Sequence, residues 1–167
     1  MLGREKKKRS CGSCSECCTV MAVDMDSKGM VTKPPGVPCE FQKAKGGCGV
    51  YGSHPASCKS FRCGWLQGMG KKKDRPDKSG IVMNRSSIDL IDGNELATLI
   101  EGRPGALKSR AGKRLMRQNL ADGKIVMRMH TTGARDVIVK ESVHVDSQFR
   151  RDAACSLIPI QFVPSRK

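Results

Sequence analysis

Eight cysteines near the start of the chain are the residues whose type and spacing favour a specific chemistry. They are Cys11, Cys14, Cys17, Cys18, Cys39, Cys48, Cys58 and Cys63. Thiolates are soft ligands that select zinc or iron–sulfur centres over magnesium or calcium. We therefore predict that these eight side chains bind metal, with zinc and iron both open. No residue is assigned a catalytic role.

The first four cysteines follow the pattern Cys-x-x-Cys-x-x-Cys-Cys. Two closely spaced triplet intervals are similar to the cysteine runs of ferredoxins, whereas structural zinc more often uses separated Cys-x-x-Cys pairs. The spacing therefore favours iron–sulfur slightly for one site. Side chains of the neighbours Cys17 and Cys18 should diverge, by about 100° on a helix. We expect either two four-thiol sites or one cluster with spare thiols.

Dense cysteines indicate either disulfides in an oxidising compartment or reduced thiols on metal. The chain begins MLGREKKKRS, which lacks the apolar run of about 7 to 15 residues that a secretory signal contains. No stretch approaches the roughly 18 apolar residues of a membrane span. We therefore predict a cytoplasmic protein with reduced thiols and no membrane contact.

The segment that must position the cysteines, residues 11–66, is poor in apolar side chains. So few cannot build a self-sufficient core at this size, and structural metals usually supply that deficit. We expect a small, loop-rich, metal-stabilised cysteine domain over 11–66. It would follow a flexible basic arm, residues 1–10, and precede a Gly-, Pro- and charge-rich linker, residues 67–80.

The remainder, 81–167, is predicted to be a small α+β unit with one main helix and short antiparallel strands. Apolar residues at helical spacing predict the helix over 105–121. Alternating and β-branched runs predict strands at 81–83, 88–91, 125–130 and 136–140, with Val143 and Val145 as an extension of the sheet. Residues 156–164 contain two prolines and should form an edge strand or a packed tail.

The formal net charge of +15 suggests an anionic partner. Two tetrathiolate sites with divalent ions would carry about −2 each and leave roughly +11. Lys6–Arg9 and Lys71–Lys73 are the candidate contacts, with an acidic protein or with nucleic acid. Aromatic residues are only 4% of the chain, so we expect nucleic-acid binding, if it occurs, to be weak and indifferent to sequence.

Four residues outside the main pattern receive structural interpretations. His54 sits between ligand cysteines and could replace or join a thiolate on the metal, but because it precedes a proline it is expected to be a turn residue. His130 and His144 fall in or beside predicted strands and should be structural. Cys155 lies outside the cluster and is expected to be buried as a small hydrophobic residue.

The ordered cysteine spacings resemble the YkgJ-type cysteine-cluster family. The residues that carry the resemblance are Cys11-x-x-Cys14-x-x-Cys17-Cys18, Cys39, Gly47-Cys48-Gly-Val-Tyr51 and His54-Pro55-x-x-Cys58-Lys-x-Phe61-x-Cys63, with a weaker match at Arg75-Pro-Asp-Lys-Ser-Gly-Ile-Val. The family usually has Arg-Pro-x-x-Cys-Arg where this chain has His54-Pro-Ala-Ser-Cys58-Lys59. Flagellin lysine N-methylases carry a similar cluster. The resemblance implies zinc or iron chelation; it does not imply methyl transfer.

Three classes of function follow. The first is a metal-binding accessory or interaction protein. The second is an enzyme or electron carrier with an iron–sulfur centre, and the third is a basic nucleic-acid-binding module with structural zinc. The chain has no phosphate-cradling Gly-rich loop, nucleophile elbow or His-Glu-x-x-His pair. We therefore favour a non-enzymatic role.

Overall fold

The computed structural model of the protein describes residues 9–24, 33–91 and 94–165, and for 86–91 the backbone alone. The helices are α1 (Glu16–Val20), α2 (Ala56–Ser60), α3 (Pro76–Ser79), α4 (Arg110–Ala121) and α5 (Ser147–Cys155). The strands are β1 (Ile81–Ile91), β2 (Asn94–Glu101), β3 (Ile125–Met129), β4 (Arg135–Lys140) and β5 (Ile160–Val163). In this part of the chain, no helix has the length and apolar character that a membrane crossing requires.

The five strands form one mixed sheet in the order β1-β2-β3-β4-β5. Strands β1 and β2 are antiparallel, as are β3 and β4, whereas the pairs β2–β3 and β4–β5 are parallel. Helices together with a sheet agree with the predicted α+β class. The prediction of antiparallel strands alone was wrong, because α4 and α5 act as the crossovers that parallel pairing needs.

The main predicted helix is confirmed, with a break near its start. Predicted residues 105–121 contain a 3-10 turn, Ala106–Lys108, followed by α4. Ser109 caps α4 by accepting a hydrogen bond of 3.2 Å from the N–H of Gly112. A Cβ at Gly112 would lie 2.3 Å from the carbonyl oxygen of Leu107, so only glycine lets the turn pack this closely.

Several strand predictions match the structure, and two do not. Strands β3 and β4 are confirmed, and β5 is an edge strand, as expected of a segment with flanking prolines. The predicted strands 81–83 and 88–91 are parts of the single strand β1, whose pairing with β2 is irregular between Ser86 and Leu90. Val143 and Val145 lie outside the strands, although Val145 is buried.

Within residues 81–167, the elements β2 and α5 have no counterpart in the sequence prediction, as is also true of the short helices α1, α2 and α3 before them. From Leu96 to Glu101 every residue of β2 is buried, so the polar–apolar alternation that identifies a half-exposed strand is absent there. Helix α5 is mostly exposed, with Ala153 its only buried residue, and Cys155 at its end is exposed instead of buried as predicted.

The cysteine-rich segment packs on the sheet through a shared core. Cys63 and Trp65 are buried together with Val82, Leu99 and other sheet residues. Partly buried Cys17 packs against the same cluster. The cysteine-rich segment is therefore anchored to the sheet at its two ends.

The predicted linker, 67–80, is ordered. It contains a 3-10 turn, Lys72–Asp74, and helix α3, with Gly80 in the left-handed conformation at φ +70°. Asp74 is 1% exposed, accepts a 2.7 Å hydrogen bond from the N–H of Lys71, and pairs with Arg114 of α4. The charged residue Asp74 therefore makes specific contacts. Composition alone could not show this, because a solvated loop would have the same composition.

The end of the predicted mobile arm is fixed. The guanidinium of Arg9 donates to the carbonyl oxygens of Trp65 (2.8 Å), Met69 (2.8 Å) and Gly70 (2.9 Å). It also lies 5.1 Å from the centre of the Trp65 ring, within cation–π range. Lys6 to Lys8 lie outside the described residues.

A buried polar cluster joins the ends of three strands. Arg128 pairs with Asp136, which also lies 3.1 Å from Nε2 of His130. Glu101 accepts hydrogen bonds from the backbone of Leu107 (3.3 Å) and Thr131 (3.2 Å). Burial opposes ionisation of Asp136, but the hydrogen bonds and charges of its partners outweigh it and lower its pKa. The structural role expected for His130 is confirmed.

Candidate metal centre

The first four cysteines are gathered by a tight turn and a short helix. The N–H of Cys14 donates to the carbonyl oxygen of Cys11 at 2.9 Å, which closes the turn around Gly12 at φ +55°. The N–H of Cys18 donates to the carbonyl oxygen of Ser15 at 2.9 Å, at the start of α1. Residues 11–18 therefore form one compact unit, as the Cys-x-x-Cys-x-x-Cys-Cys spacing suggested.

A second loop, residues 39–48, docks on the first. The N–H of Cys39 donates to the carbonyl oxygen of Cys18 at 3.0 Å, and Gln42 forms a β-bridge with Cys48. A Cβ at Gly46 would lie 2.3 Å from the carbonyl oxygen of Ser13. The glycine at position 46 therefore allows the two cysteine-bearing loops to touch.

The last two cysteines come from α2 and the segment after it. Cys58 lies in α2, and the hydroxyl of Ser57 donates to the carbonyl oxygen of Asp24 at 2.7 Å. Cys63 is only 7% exposed, and the N–H of the following Gly64 donates to Met83 of β1 at 2.6 Å. The sheet thus holds Cys63 in place.

Seven of the eight predicted ligands line one cavity of about 670 Å³: Cys11, Cys14, Cys17, Cys18, Cys39, Cys48 and Cys58. The eighth, Cys63, is not among the lining residues, but its charge helps to raise the pKa values of Cys11 and Cys14. Apolar side chains complete the wall, among them Met21, Phe41 and Phe61. All nine cysteines are free thiols, and Cys155 does not line the cavity.

Electrostatic contacts sort the thiols into two groups that are linked through Cys18. The pKa of Cys11 is raised chiefly by burial and then by Cys63, Cys14 and Cys18, and the pKa of Cys17 is raised by Cys18, by burial, and by Cys11 and Cys14. The pKa of Cys58 is raised chiefly by burial and then by Cys18, Cys39 and Cys48. We call these groups the first thiol group (Cys11, Cys14, Cys17 and Cys63) and the second thiol group (Cys18, Cys39, Cys48 and Cys58).

Cys17 and Cys18 meet where the two thiol groups adjoin. The divergence expected of neighbours on a helix does not take either thiol away from the cavity, which both line. The interaction between these two side chains lowers the pKa of Cys18 to about 7 and, with burial, raises the pKa of Cys17. The opposite shifts match a thiol donor beside a thiolate acceptor.

A buried lysine faces the second thiol group. Lys33 is 6% exposed, and its ammonium donates to the carbonyl oxygens of Thr19 (3.2 Å), Pro34 (3.0 Å) and Val37 (2.7 Å). Burial lowers the pKa of Lys33, and the charges of the thiols, led by Cys39 and Cys18, oppose that shift. Within the described part of the chain no carboxylate pairs with this ammonium.

An arginine lies beside the first thiol group. The side chain of Arg75 donates twice to the carboxylate of Asp77, at 2.6 Å each, and once to the hydroxyl of Ser13 at 3.3 Å. The carboxylate of Asp77 raises the pKa of Arg75, and the charge of Arg75 lowers that of Cys11 against the dominant effect of burial. Each thiol group therefore lies beside one cationic side chain that hydrogen bonds hold in place: Arg75 for the first group and Lys33 for the second.

The thiols are suitable ligands for a thiophilic ion, but their positions around the cavity are too far apart to bind one ion together. In residues 9–24, 33–91 and 94–165, no three His, Cys, Asp or Glu side chains converge closely enough to bind one ion together. Burial raises the pKa values of Cys11, Cys14 and Cys58, which opposes thiolate formation without a bound cation. Thiols arranged around a cavity must therefore move inward to bind metal.

Comparison of the chain with protein-family models, with curated proteins and with solved structures finds no match. The site is therefore interpreted from its own residues and geometry.

Sequence reasoning left His54 open between a turn role and a ligand role, and it missed the two cations. Nδ1 of His54 accepts a 3.0 Å hydrogen bond from the N–H of Gly52, and its ring stacks on Tyr51 with the ring centres 5.2 Å apart, which supports the turn role. His54 also lines the thiol cavity. Lys33 and Arg75 stand in segments read as loop, where charge is expected to be solvated. Each of these residues precedes a proline, which restricts its backbone conformation and could have indicated that its side chain is held in a fixed direction.

Proposed function

We propose that this protein binds thiophilic metal through its eight N-terminal cysteines. The observation that carries the proposal is one cavity of about 670 Å³ lined by seven of these thiols, with the eighth in electrostatic contact. The seven come from a stretch of 48 residues, Cys11 to Cys58, and from several different loops. Their loops are joined by the hydrogen bond from Cys39 to Cys18 and by the contact of Gly46 with Ser13.

The two thiol groups support two four-ligand sites in preference to one cluster with spare thiols. Each group contains four thiols, the number that a closed tetrahedral zinc site or a cubane iron–sulfur cluster uses. Cys17 is assigned to the first thiol group and Cys18 to the second, as a two-site arrangement requires. The neighbours would then connect the two centres.

The charges around the thiols support binding of metal by thiolates. A buried ammonium is costly unless an anion lies nearby, and carbonyl oxygens satisfy the donors of Lys33 without supplying net charge. The thiols whose ionisation would favour the charged form of Lys33 are led by Cys39 and Cys18, both of the second thiol group. Four thiolates on a divalent ion would give that group a net charge of about −2, which Lys33 would partly neutralise.

Membership of the YkgJ-type family and an accessory role in the cytoplasm belong to the same proposal. They are supported by the Cys-x-x-Cys-x-x-Cys-Cys run and by the gathering of the later cysteines around it. A site with four protein thiolates leaves no open position for substrate. We therefore favour a structural or chelating site. The alternative, an iron–sulfur electron carrier, is kept for the first thiol group because of its ferredoxin-like spacing.

Elemental analysis of the protein purified without oxygen tests the proposal, together with its visible spectrum. We expect about two zinc ions per chain and a colourless protein, since eight thiols make two tetrahedral sites. Brown protein with iron and acid-labile sulfide would select the iron–sulfur alternative. Metal-free protein with a cooperatively folded cysteine segment would contradict metal binding. Cys155→Ser serves as the control and should keep the full metal content.

A further inference from the structure

Helix α4 carries a row of positive charge. Its basic residues have the spacing i, i+3, i+4 and i+7, which places them on one face of the helix; they are Arg110, Lys113, Arg114 and Arg117. The helix contains no Asp or Glu. Like charges at this spacing destabilise a helix. The row therefore lowers the stability of α4, so these charges are best explained by a role outside the helix.

The row continues into the turn Lys72–Asp74. Arg114, in the middle of the row, pairs with the buried carboxylate of Asp74, and Asp74 accepts from the N–H of Lys71. The side chain of Leu115 packs against Gly70. These contacts bring three consecutive exposed lysines beside α4. We define the basic surface as Lys71, Lys72, Lys73, Arg110, Lys113 and Arg117, all of which are exposed.

The charges of the basic surface are not neutralised within the described part of the chain. None of its six residues forms an ion pair there with Asp or Glu. The carboxylate of Asp74, which follows Lys73, pairs with Arg114 instead. The whole stretch 102–121 has six basic residues and no acidic one. Such a surface attracts a polyanion.

We propose that the basic surface binds the phosphate backbone of double-helical nucleic acid. Phosphate contacts by Lys and Arg supply essentially all of the affinity in binding that is indifferent to sequence. The row from Arg110 to Arg117 extends about 10 Å along the helix axis, enough to reach successive phosphates of one strand. None of the six residues of the basic surface lines the thiol cavity, and the inference does not rest on metal binding.

The chemistry of the basic surface disfavours the other polyanions. The exposed large hydrophobic residues of the described chain, Val37, Phe41, Tyr51, Leu157 and Phe162, lie elsewhere. Protein partners usually dock on aromatic or aliphatic anchors, and single strands stack on aromatic rings. A surface of six cations with neither kind of anchor fits a duplex best.

Salt-dependent binding by the full chain tests the inference. The probes are random-sequence 20-base-pair DNA and RNA duplexes and a poly-glutamate of equal charge, followed by fluorescence anisotropy. The test variant is Arg110→Gln/Lys113→Gln/Arg117→Gln. The control, Lys45→Gln/Arg135→Gln/Arg151→Gln, removes two arginines and one lysine from exposed positions outside the basic surface. Circular dichroism checks that both variants remain folded.

We expect the original protein to bind a duplex with affinity that falls steeply with salt. The test variant should lower the slope of log K against log salt by about 2.7, since each phosphate contact contributes about 0.9. The control should leave the slope nearly unchanged. A stronger complex with DNA or RNA would identify the natural duplex. Equal losses in both variants, tighter binding of poly-glutamate, or no duplex binding would overturn the inference.

Discussion

The cysteine segment and the sheet are stabilised by different means. Of the buried hydrophobic residues in the described chain, only Cys63 and Trp65 precede Ile81, and all the others belong to the sheet, its connections or its helices. The segment before them is joined by turns, backbone hydrogen bonds and glycine contacts. The sheet buries apolar area, the dominant favourable contribution to folding. The cysteine segment has little such area and, if it binds metal as proposed, would gain its stability from cross-links through its thiols.

Removing metal should have the largest effect, and it should act on one region only. A structural zinc site contributes about 10 to 16 kcal/mol to the folding of a small peptide. With a strong chelator and reductant, in the absence of oxygen, we expect amides of residues 11–58 to exchange hydrogen as an unfolded chain does. Amides of β2, β3 and β4 should stay protected. Hydrogen exchange with mass spectrometry measures both. Unchanged protection over 11–58 would remove the distinction between the regions.

Asp136→Asn should have the converse effect and destabilise the sheet. The carboxylate has 8% side-chain exposure and pairs with Arg128, so loss of its charge leaves a partly buried guanidinium without its partner. We expect the free energy of unfolding at pH 7 to fall by about 3 kcal/mol, with metal content retained. Urea unfolding followed by circular dichroism measures this, and Asp152→Asn, at an exposed position in α5, is the control.

The pH dependence sharpens that prediction. Because the pKa of Asp136 is lowered in the folded state, its contribution is present above the ordinary pKa of an aspartate. It is lost as the pH falls through the lower, folded-state value. The difference between the original protein and Asp136→Asn should therefore shrink in acid. A difference that grows as the pH falls would show that the partners of Asp136 have been misassigned.

Lys33→Met should have a smaller effect, on metal affinity at the second thiol group. Residues that surround metal ligands typically change affinity by 10- to 100-fold when mutated. We expect a loss in this range, measured by competition with a chromophoric chelator. Lys33→Arg keeps the charge and should recover part of it. Lys45→Met, at an exposed lysine that does not line the cavity, is the matched control. Equal affinity in Lys33→Met and the original protein would refute the charge-compensation role.

The sequence predicted those parts of the molecule that depend on local pattern. The helical spacing around Leu115 and the β-branched runs of β3 and β4 survive in the fold, and the cysteine run does form a compact unit. Strand β2 was missed because its sequence has neither alternation nor a β-branched run. Lys33 and Arg75 were missed because their importance comes from burial beside thiols distant in sequence. Asp74 and Arg9 show the same limit, since their long-range contacts cannot be inferred from charge composition.

The direct test of the two-site account compares metal content in Cys17→Ser and Cys18→Ser. Serine keeps the size of the side chain and removes the soft thiolate. The protein should bind two metal equivalents, and each variant should keep one, with Cys17→Ser losing the site of Cys11, Cys14 and Cys63. Cys155→Ser should keep both. Native mass spectrometry counts the ions. If both variants retain two equivalents, or both lose all bound metal, the division into two four-thiol sites is contradicted.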